Sequence, residues 1–310
     1  MRLVFLGSPE FAVPSLEALA AHYRVAGVVT QPDRPAGRGR RLRPPAVRLA
    51  AARLGLQVIQ PRRVSDAEAL EAIRKWAPEA IVVVAFGQLL RPSILDLPRW
   101  GCLNVHASLL PRWRGASPIQ ATILEGDPTT GVTVMKMDAG LDTGPILAQR
   151  SVPIAPDETG GSLSTRLSSL GAALLLETLP GLQAGSIKPT PQQEEQATHA
   201  PLLRKSDGAL DPTEPAERLA RKVRAYHPWP GTFLNLDRSR LGVLSAHAAP
   251  ALRDVPVGQV VQLERAPAVS TVQGYLVLDR VQPEGKKPMT GAAFLLGSRD
   301  FVGTTLRSPL

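Results

Sequence analysis

The first half of the chain alternates short β-branched apolar runs with stretches of helical periodicity. Arg2–Leu6 reads as a strand ended by Gly7-Ser8-Pro9, and Phe11–Ala21 as a helix. Val25–Val29, Val58–Ile59, Ala80–Ala85 and Gly101–His106 read as four more strands, with a helix over Ala67–Trp76. Ala80–Ala85 is apolar throughout, the pattern of a central parallel strand covered on both faces. Gly131–Met137 and Ile146–Ile154 lie too close together for a helical crossover, so they are expected to pair antiparallel. Ser162–Leu182 is a long helix. The order predicts an α/β fold, a doubly wound, Rossmann-like parallel sheet.

The pattern then changes. Residues 184–198 are rich in Gly, Ser, Pro, Gln and Glu and read as a linker. A helix over Ala216–Ala225 precedes short runs at Thr232–Leu236, Arg240–Ala246, Gly258–Val261, Ala268–Thr271, Tyr275–Val281 and Ala293–Leu296. Five or six short strands in about 80 residues predict a small OB-like β-barrel. The expected division is residues 1–184, a linker over 185–205, and a second domain over 206–310.

Composition narrows the possibilities. A single Cys in 310 residues excludes a disulfide framework, a zinc ribbon or an iron–sulfur site. No run approaches the ~18 apolar residues of a membrane helix, and the start lacks a signal-peptide layout, so the expectation is a cytoplasmic protein, taken as a monomer. The net charge of +9, with Arg supplying 29 of 36 basic residues, favours a polyanionic partner. A dinucleotide fingerprint at the first strand would need Gly at 7, 9 and 12, where the chain has Gly7, Pro9 and Ala12. Neither a phosphate-binding G-x-x-x-x-G-K-[ST] loop nor a G-x-S-x-G elbow occurs. The five His show no metalloprotease spacing, and no metal is expected.

The segment from Gly101 to Pro111 carries the candidate chemistry. In a strand, Cys102, Asn104 and His106 share one face. A Cys102–His106 nucleophile pair is opposed by distance, because four residues span about 13 Å at roughly 3.3 Å each. Asn104 and His106, about 6.6 Å apart on the same measure, can converge above the carboxyl end of the strand, where ligands bind in such sheets. The ordinary alternative is a core His satisfied by an Asn. Asp138 and Asp142 lie in a Gly-containing turn, which suits Asx-turn chemistry or a carboxylate that orients a His.

Phe5-Leu6-Gly7-Ser8-Pro9-Glu10-Phe11-Ala12, the run Asn104-Val105-His106-Ala107-Ser108-Leu109-Leu110-Pro111 through Ala116, Met135–Gly144 and Tyr226–Thr232 together resemble the methionyl-tRNA formyltransferases, a branch of the folate-dependent formyltransferase family. The resemblance spans nearly the whole chain. It implies transfer of a formyl group from 10-formyltetrahydrofolate to the α-amine of initiator methionyl-tRNA. Carried over by motif, the catalytic residues are Asn104, His106 and Asp142. The folate cosubstrate is expected beside Ser108, Leu109, Leu110 and Pro111, and beside Phe86, Gly87 and Leu89. Family members commonly have Asp-Trp where this chain has Asp211-Pro212. For the chemistry, Asn104 and His106 can each donate a hydrogen bond to a tetrahedral oxyanion, and Asp142 can orient His106 or assist proton removal.

Gln31–Pro45 separates the possible acceptors. It carries five Arg against one Asp, is bounded by Pro, and reads as a long basic loop beside a strand end. Arg34, Arg38, Arg40, Arg41 and Arg43 suit bidentate phosphate contacts, with Lys205 and further basic residues of the second domain, Arg221, Lys222, Arg224, Lys286 and Lys287, tracking a backbone. A formyltransferase for a small nucleotide or sugar-nucleotide amine, and a non-catalytic tRNA-binding protein on the same core, remain the competing readings.

Overall fold

In the computed structural model, β1 (Arg2–Gly7) leads through a short 3-10 turn into α1 (Val13–His22), whose first turn holds Pro14. The description covers residues 1–36, 41–236, 239–251 and 255–306, without the side chains of Ala36, Arg41 and Arg299. After β2 (Arg24–Val29) come β3 (Arg34–Ala36), β4 (Arg41–Arg43), α2 (Ala46–Arg53), β5 (Val58–Ile59) and α3 (Ala67–Trp76). Then follow β6 (Ala80–Val84), α4 (Pro92–Leu95), β7 (Cys102–His106), β8 (Arg114–Gly115) and α5 (Pro118–Glu125). The series continues with β9 (Thr129–Lys136), β10 (Ile146–Pro153), α6 (Gly160–Gln183) and β11 (His199–Ala200).

Seven strands form one sheet in the order β10-β9-β7-β6-β1-β2-β5. From β5 to β7 every pairing is parallel, and β9 and β10 add antiparallel at one edge. All five residues of β6 are buried, which matches their unbroken apolar run. The chain builds outward from β1 to β2 and β5, then crosses back to β6 and β7. The order therefore reverses between β1 and β6, whose carboxyl ends border that switch point, and β7 lies next to β6.

The chain divides into two units. The first comprises Met1–Pro118, Thr129–Pro153 and Ser164–Ala200, the second Ile119–Pro128, Ile154–Leu163 and Pro201–Leu310. In the second, α7 (Ala216–Ala225) precedes β12 (Thr232–Asn235), β13 (Arg240–Ala249), β14 (Val260–Leu263), β15 (Ala266–Ser270), β16 (Tyr275–Pro283), β17 (Met289–Thr290) and α8 (Gly291–Leu296). The strands pair antiparallel in the order β12-β13-β16-β15-β14, with β17 also on β16. Leu219 and Val223 of α7 enter a core with Leu241, Val243, Leu276, Leu278, Phe294 and Phe301. The structure thus has the expected α/β sheet followed by a small antiparallel β domain.

Three local expectations change. Gln31–Pro45 is not bare loop, because β3 and β4 pair as an antiparallel ribbon with Arg34 opposite Arg43. Ala293–Leu296 belongs to α8, not to a strand; four apolar residues suit either state, and the Thr290 hydroxyl decides by capping the Ala293 N–H. Helices α2 and α5 went unanticipated, since eight residues hold barely two turns of periodicity. In α2 the buried positions Val47, Ala50 and Ala51 still fall at i, i+3 and i+4.

Candidate functional site

Strand β7 is wholly buried, and register places Asn104 opposite Met135 and His106 opposite Thr133. Asn104 and His106 are tolerated in this apolar surrounding because one residue of the loop after β9, Asp142, reaches both of them. The Asn104 amide donates to Asp142 Oδ1 at 3.3 Å, and His106 Nδ1 lies 3.5 Å from Asp142 Oδ2. The structure therefore brings together the three residues expected to carry catalysis. Asp138 stays apart: it is exposed, and its carboxylate accepts from Gly140 N–H and the Thr143 hydroxyl, ordinary Asx-turn bonding.

The loop after β7 fixes the imidazole. His106 Nε2 lies 2.9 Å from the Trp113 carbonyl, which can only accept, so Nε2 carries a proton. Trp113 has φ +64°, a left-handed backbone unfavourable for a bulky residue. Such a conformation costs about 1–3 kcal/mol and persists where its surroundings over-determine it. Here Trp113 N–H donates to the Thr198 hydroxyl, and the Arg112 guanidinium lies 4.3 Å from the indole centroid. Because both His106 nitrogens have partners, its expected bond to an oxyanion requires one contact to be exchanged. Asn104 differs, since its amide nitrogen carries a second N–H beyond the one given to Asp142.

Gly115 N–H donates to Asp142 Oδ2 at 2.9 Å. Its φ of +112° suits glycine, and a Cβ there would lie 2.7 Å from the Ala200 carbonyl oxygen, where β11 runs parallel to β8. Asp142 itself has φ +54°, which Asp tolerates better than most residues.

The expected folate segments follow the neighbouring strands β6 and β7. Ser108 is buried and its hydroxyl donates to the Arg112 carbonyl, so it shapes the loop. Thr133 Oγ1 donates to Ser108 O and receives Leu110 N–H, while Gln149 donates to Leu110 O. Leu110 is buried, Leu109 and Pro111 partly so, and the Leu110–Pro111 bond is cis. At the other turn Phe86 is buried, its carbonyl accepting from Gln31; Gly87 has φ +77°, and Leu89 is exposed.

The basic residues divide sharply. Arg34 and Arg43 are exposed on the ribbon after β2. Arg38, Arg40 and the Arg41 side chain lie outside the described residues. In the second unit, Lys205, Lys286 and Lys287 are exposed, but three other cations are committed internally. Arg221 donates to Leu124 O, Lys222 to Ala209 O and Glu214, and Arg224 to Glu158 O. Burial lowers the Arg224 pKa from its ordinary value. Among the described residues, no group of three or more His, Cys, Asp or Glu could hold a metal ion. Nor is any helix among them long and apolar enough to cross a membrane. Cys102 is buried, donates to Ile94 O, and burial pushes its thiol up to about 12, so it is no nucleophile.

Gln192 escaped the sequence reading. It lies in the segment taken for a linker, yet its Nε2 donates to the carbonyls of Asp142 and Gly144, both at 2.8 Å. Arg114, within a quoted motif but given no role, is buried and donates Nε to Gln192 Oε1 and Nη1 to both carboxylate oxygens of Glu194. No local spacing signals contacts that cross 48 to 80 residues.

Residues 1–179 match the family described as formyl transferase, and residues 202–299 its C-terminal domain. A methionyl-tRNA formyltransferase of Halorhodospira halophila (strain DSM 244 / SL1) is 52% identical over 304 residues, 97% of this chain and 98% of that protein. Among solved structures, a sugar 3N-formyl transferase crystallised in the presence of dTDP and 5-N-formyl-THF is similar with a TM-score of 0.66 at 16% identity, over 93% of this chain and 99% of that one. A methionyl-tRNA formyltransferase from Clostridium thermocellum is similar with a TM-score of 0.56 at 17% identity, over 80% of this chain and 94% of that one. At those identities the structures speak for the fold alone, while the sequence match over nearly the full length decides membership: the chain belongs to the methionyl-tRNA formyltransferases of the formyl transferase family.

Proposed function

We propose that the chain transfers the formyl group of 10-formyltetrahydrofolate to the α-amine of initiator methionyl-tRNA, with Asn104, His106 and Asp142 as the catalytic residues. The observation that carries this is the meeting of the Asp142 carboxylate with the Asn104 amide and the His106 imidazole at the carboxyl end of β7. The amine attacks the formyl carbon and a tetrahedral oxyanion forms. The second N–H of Asn104 is the donor free to reach that oxygen, and loss of one such donor typically costs about 2.7–4 kcal/mol. As the C–N bond forms, the amine must shed a proton. A free α-amine has a pKa of roughly 7.7–8.0, so the site needs only modest base assistance. Asp142 and His106, 3.5 Å apart, can receive or relay that proton; collapse of the oxyanion then breaks the bond between the formyl carbon and N10 of the folate, and N10 takes up a proton as tetrahydrofolate leaves.

The same reading places the folate beside the loops after β6 and β7, and the tRNA phosphates on the basic ribbon and on Lys205. Arg34 and Arg43 sit directly opposite one another on paired strands, an arrangement disfavoured without an anion between or beside them. Residues 1–184 would hold the chemistry and 206–310 the second tRNA surface, in a cytoplasmic monomer whose mass size-exclusion chromatography with light scattering checks. A competition assay tests the function: initiator methionyl-tRNA and a nucleotide-sugar amine are offered together with 10-formyltetrahydrofolate. Formylation of the tRNA with far the higher kcat/KM is expected, and preference for the sugar amine overturns the assignment.

A further inference from the structure

We propose that Gln192 is a positioning residue that holds Asp142 in register with Asn104 and His106; this rests on the role proposed for Asp142. Its amide orientation follows from its partners. Nε2 faces two carbonyls, Asp142 O and Gly144 O, while Oε1 faces the Arg114 guanidinium. Carbonyls only accept and a guanidinium only donates, so one orientation satisfies all three. The turn from Asp142 to Gly144 is thereby tied at both ends to one side chain. Asp142 has φ +54°, and the direction of its carboxylate follows from that backbone. A turn free to relax would carry the carboxylate away from Gly115 N–H, Asn104 and His106 together.

Arg114 completes the arrangement. The adjacent residue, Gly115, gives its N–H to Asp142 Oδ2, while Arg114 gives Nε to Gln192. Asp142, Gly115, Arg114 and Gln192 thus close a ring in which the backbone of Asp142 and its carboxylate are held from opposite sides. Stability alone is a poor reason for this construction. Arg114 is buried and, among the described residues, its Nη2 has no hydrogen-bond partner, while the Glu194 side chain it pairs with is 74% exposed, so the cost of taking the guanidinium out of water is only partly offset. A ring that aims a reacting group has such a reason, because a displacement of about 1 Å can cost on the order of 100-fold in rate.

Gln192→Glu isolates the role. It keeps an oxygen for Arg114 but replaces the donor that holds both carbonyls. In formyl transfer to methionyl-tRNA, kcat is expected to fall about 10- to 100-fold. KM for both substrates should stay within about threefold, since neither touches Gln192 in the proposed site. Gln192→Met, similar in length but unable to make these bonds, should fall at least as far, and gives a second reading if a charge at this position unfolds the chain. In folded Gln192→Glu protein labelled with 15N-His, the His106 ring signals should move as they do in Asp142→Asn. Combined with Asp142→Asn, either substitution should add little further loss, because both act through one carboxylate. Gln192→Glu and Gln192→Met proteins with kcat near wild type, beside an impaired Asp142→Asn, would overturn the positioning role alone. Full activity in Asp142→Asn would instead remove the site reading on which it rests.

Discussion

At the end of β7, Asp142 accepts from Gly115 N–H and the Asn104 amide and faces His106, all within 3.5 Å and largely out of water. On the β3–β4 ribbon, Arg34 and Arg43 face each other in the open. The first arrangement invests strained backbone at Trp113 and Asp142 to direct polar atoms. The second leaves two like charges opposed, a local cost of a few tenths of a kcal/mol or more that an anion removes. The first suits a reaction, whose small charge shifts need preorganised dipoles; the second suits recognition of a polyanion, which needs exposed charge and tolerates loose geometry.

The sharpest way to break this contrast is at the buried end. Asn104→Ala, His106→Ala and Asp142→Asn should each slow single-turnover formyl transfer by roughly 10²–10³. Asp138→Asn, one turn away, should stay within a fewfold, and equal losses at both Asp positions would show that the turn has been misread. The exposed end should respond differently. Arg34→Ala combined with Arg43→Ala should weaken tRNA binding and lower the log–log salt slope by about two, near 0.9 per lost phosphate contact. Transfer at saturating tRNA should hardly change. A wild-type salt slope would remove the ribbon from the tRNA interface.

A smaller effect concerns Cys102, on the same strand but away from the chemistry. Its thiol is raised from 9.0 to about 12 in the folded chain, so well below pH 9 it is protonated whether folded or not. Between pH 9 and 12 only the unfolded chain ionises it, and stability falls by up to about 1.4 kcal/mol per pH unit. Cys102→Ala should flatten that alkaline decline in denaturant titrations and keep activity within about twofold. Loss of activity would place Cys102 in the site after all. Thiol reagents at pH 8 should leave the native protein unlabelled.

Much of this was legible in the chain itself. The unbroken apolar run Ala80–Ala85 marked a strand covered on both faces, and the alternation at Cys102, Asn104 and His106 put two polar groups on one face of a buried strand. Local periodicity suffices there, because each feature depends on neighbours two to four residues away. Tertiary structure decided the rest. Ala293–Leu296 became helix through the Thr290 cap, and within Gln31–Pro45 the strands β3 and β4 formed a ribbon by pairing with each other. It also tied an apparent linker to the Asp142 turn, since Gln192 reaches back 50 residues to Asp142 and Arg114 reaches forward 80 to Glu194. Such contacts leave no periodic trace; they arise only when the sheet has brought β8 and β11 side by side, so that a buried guanidinium and a strained turn can share one amide.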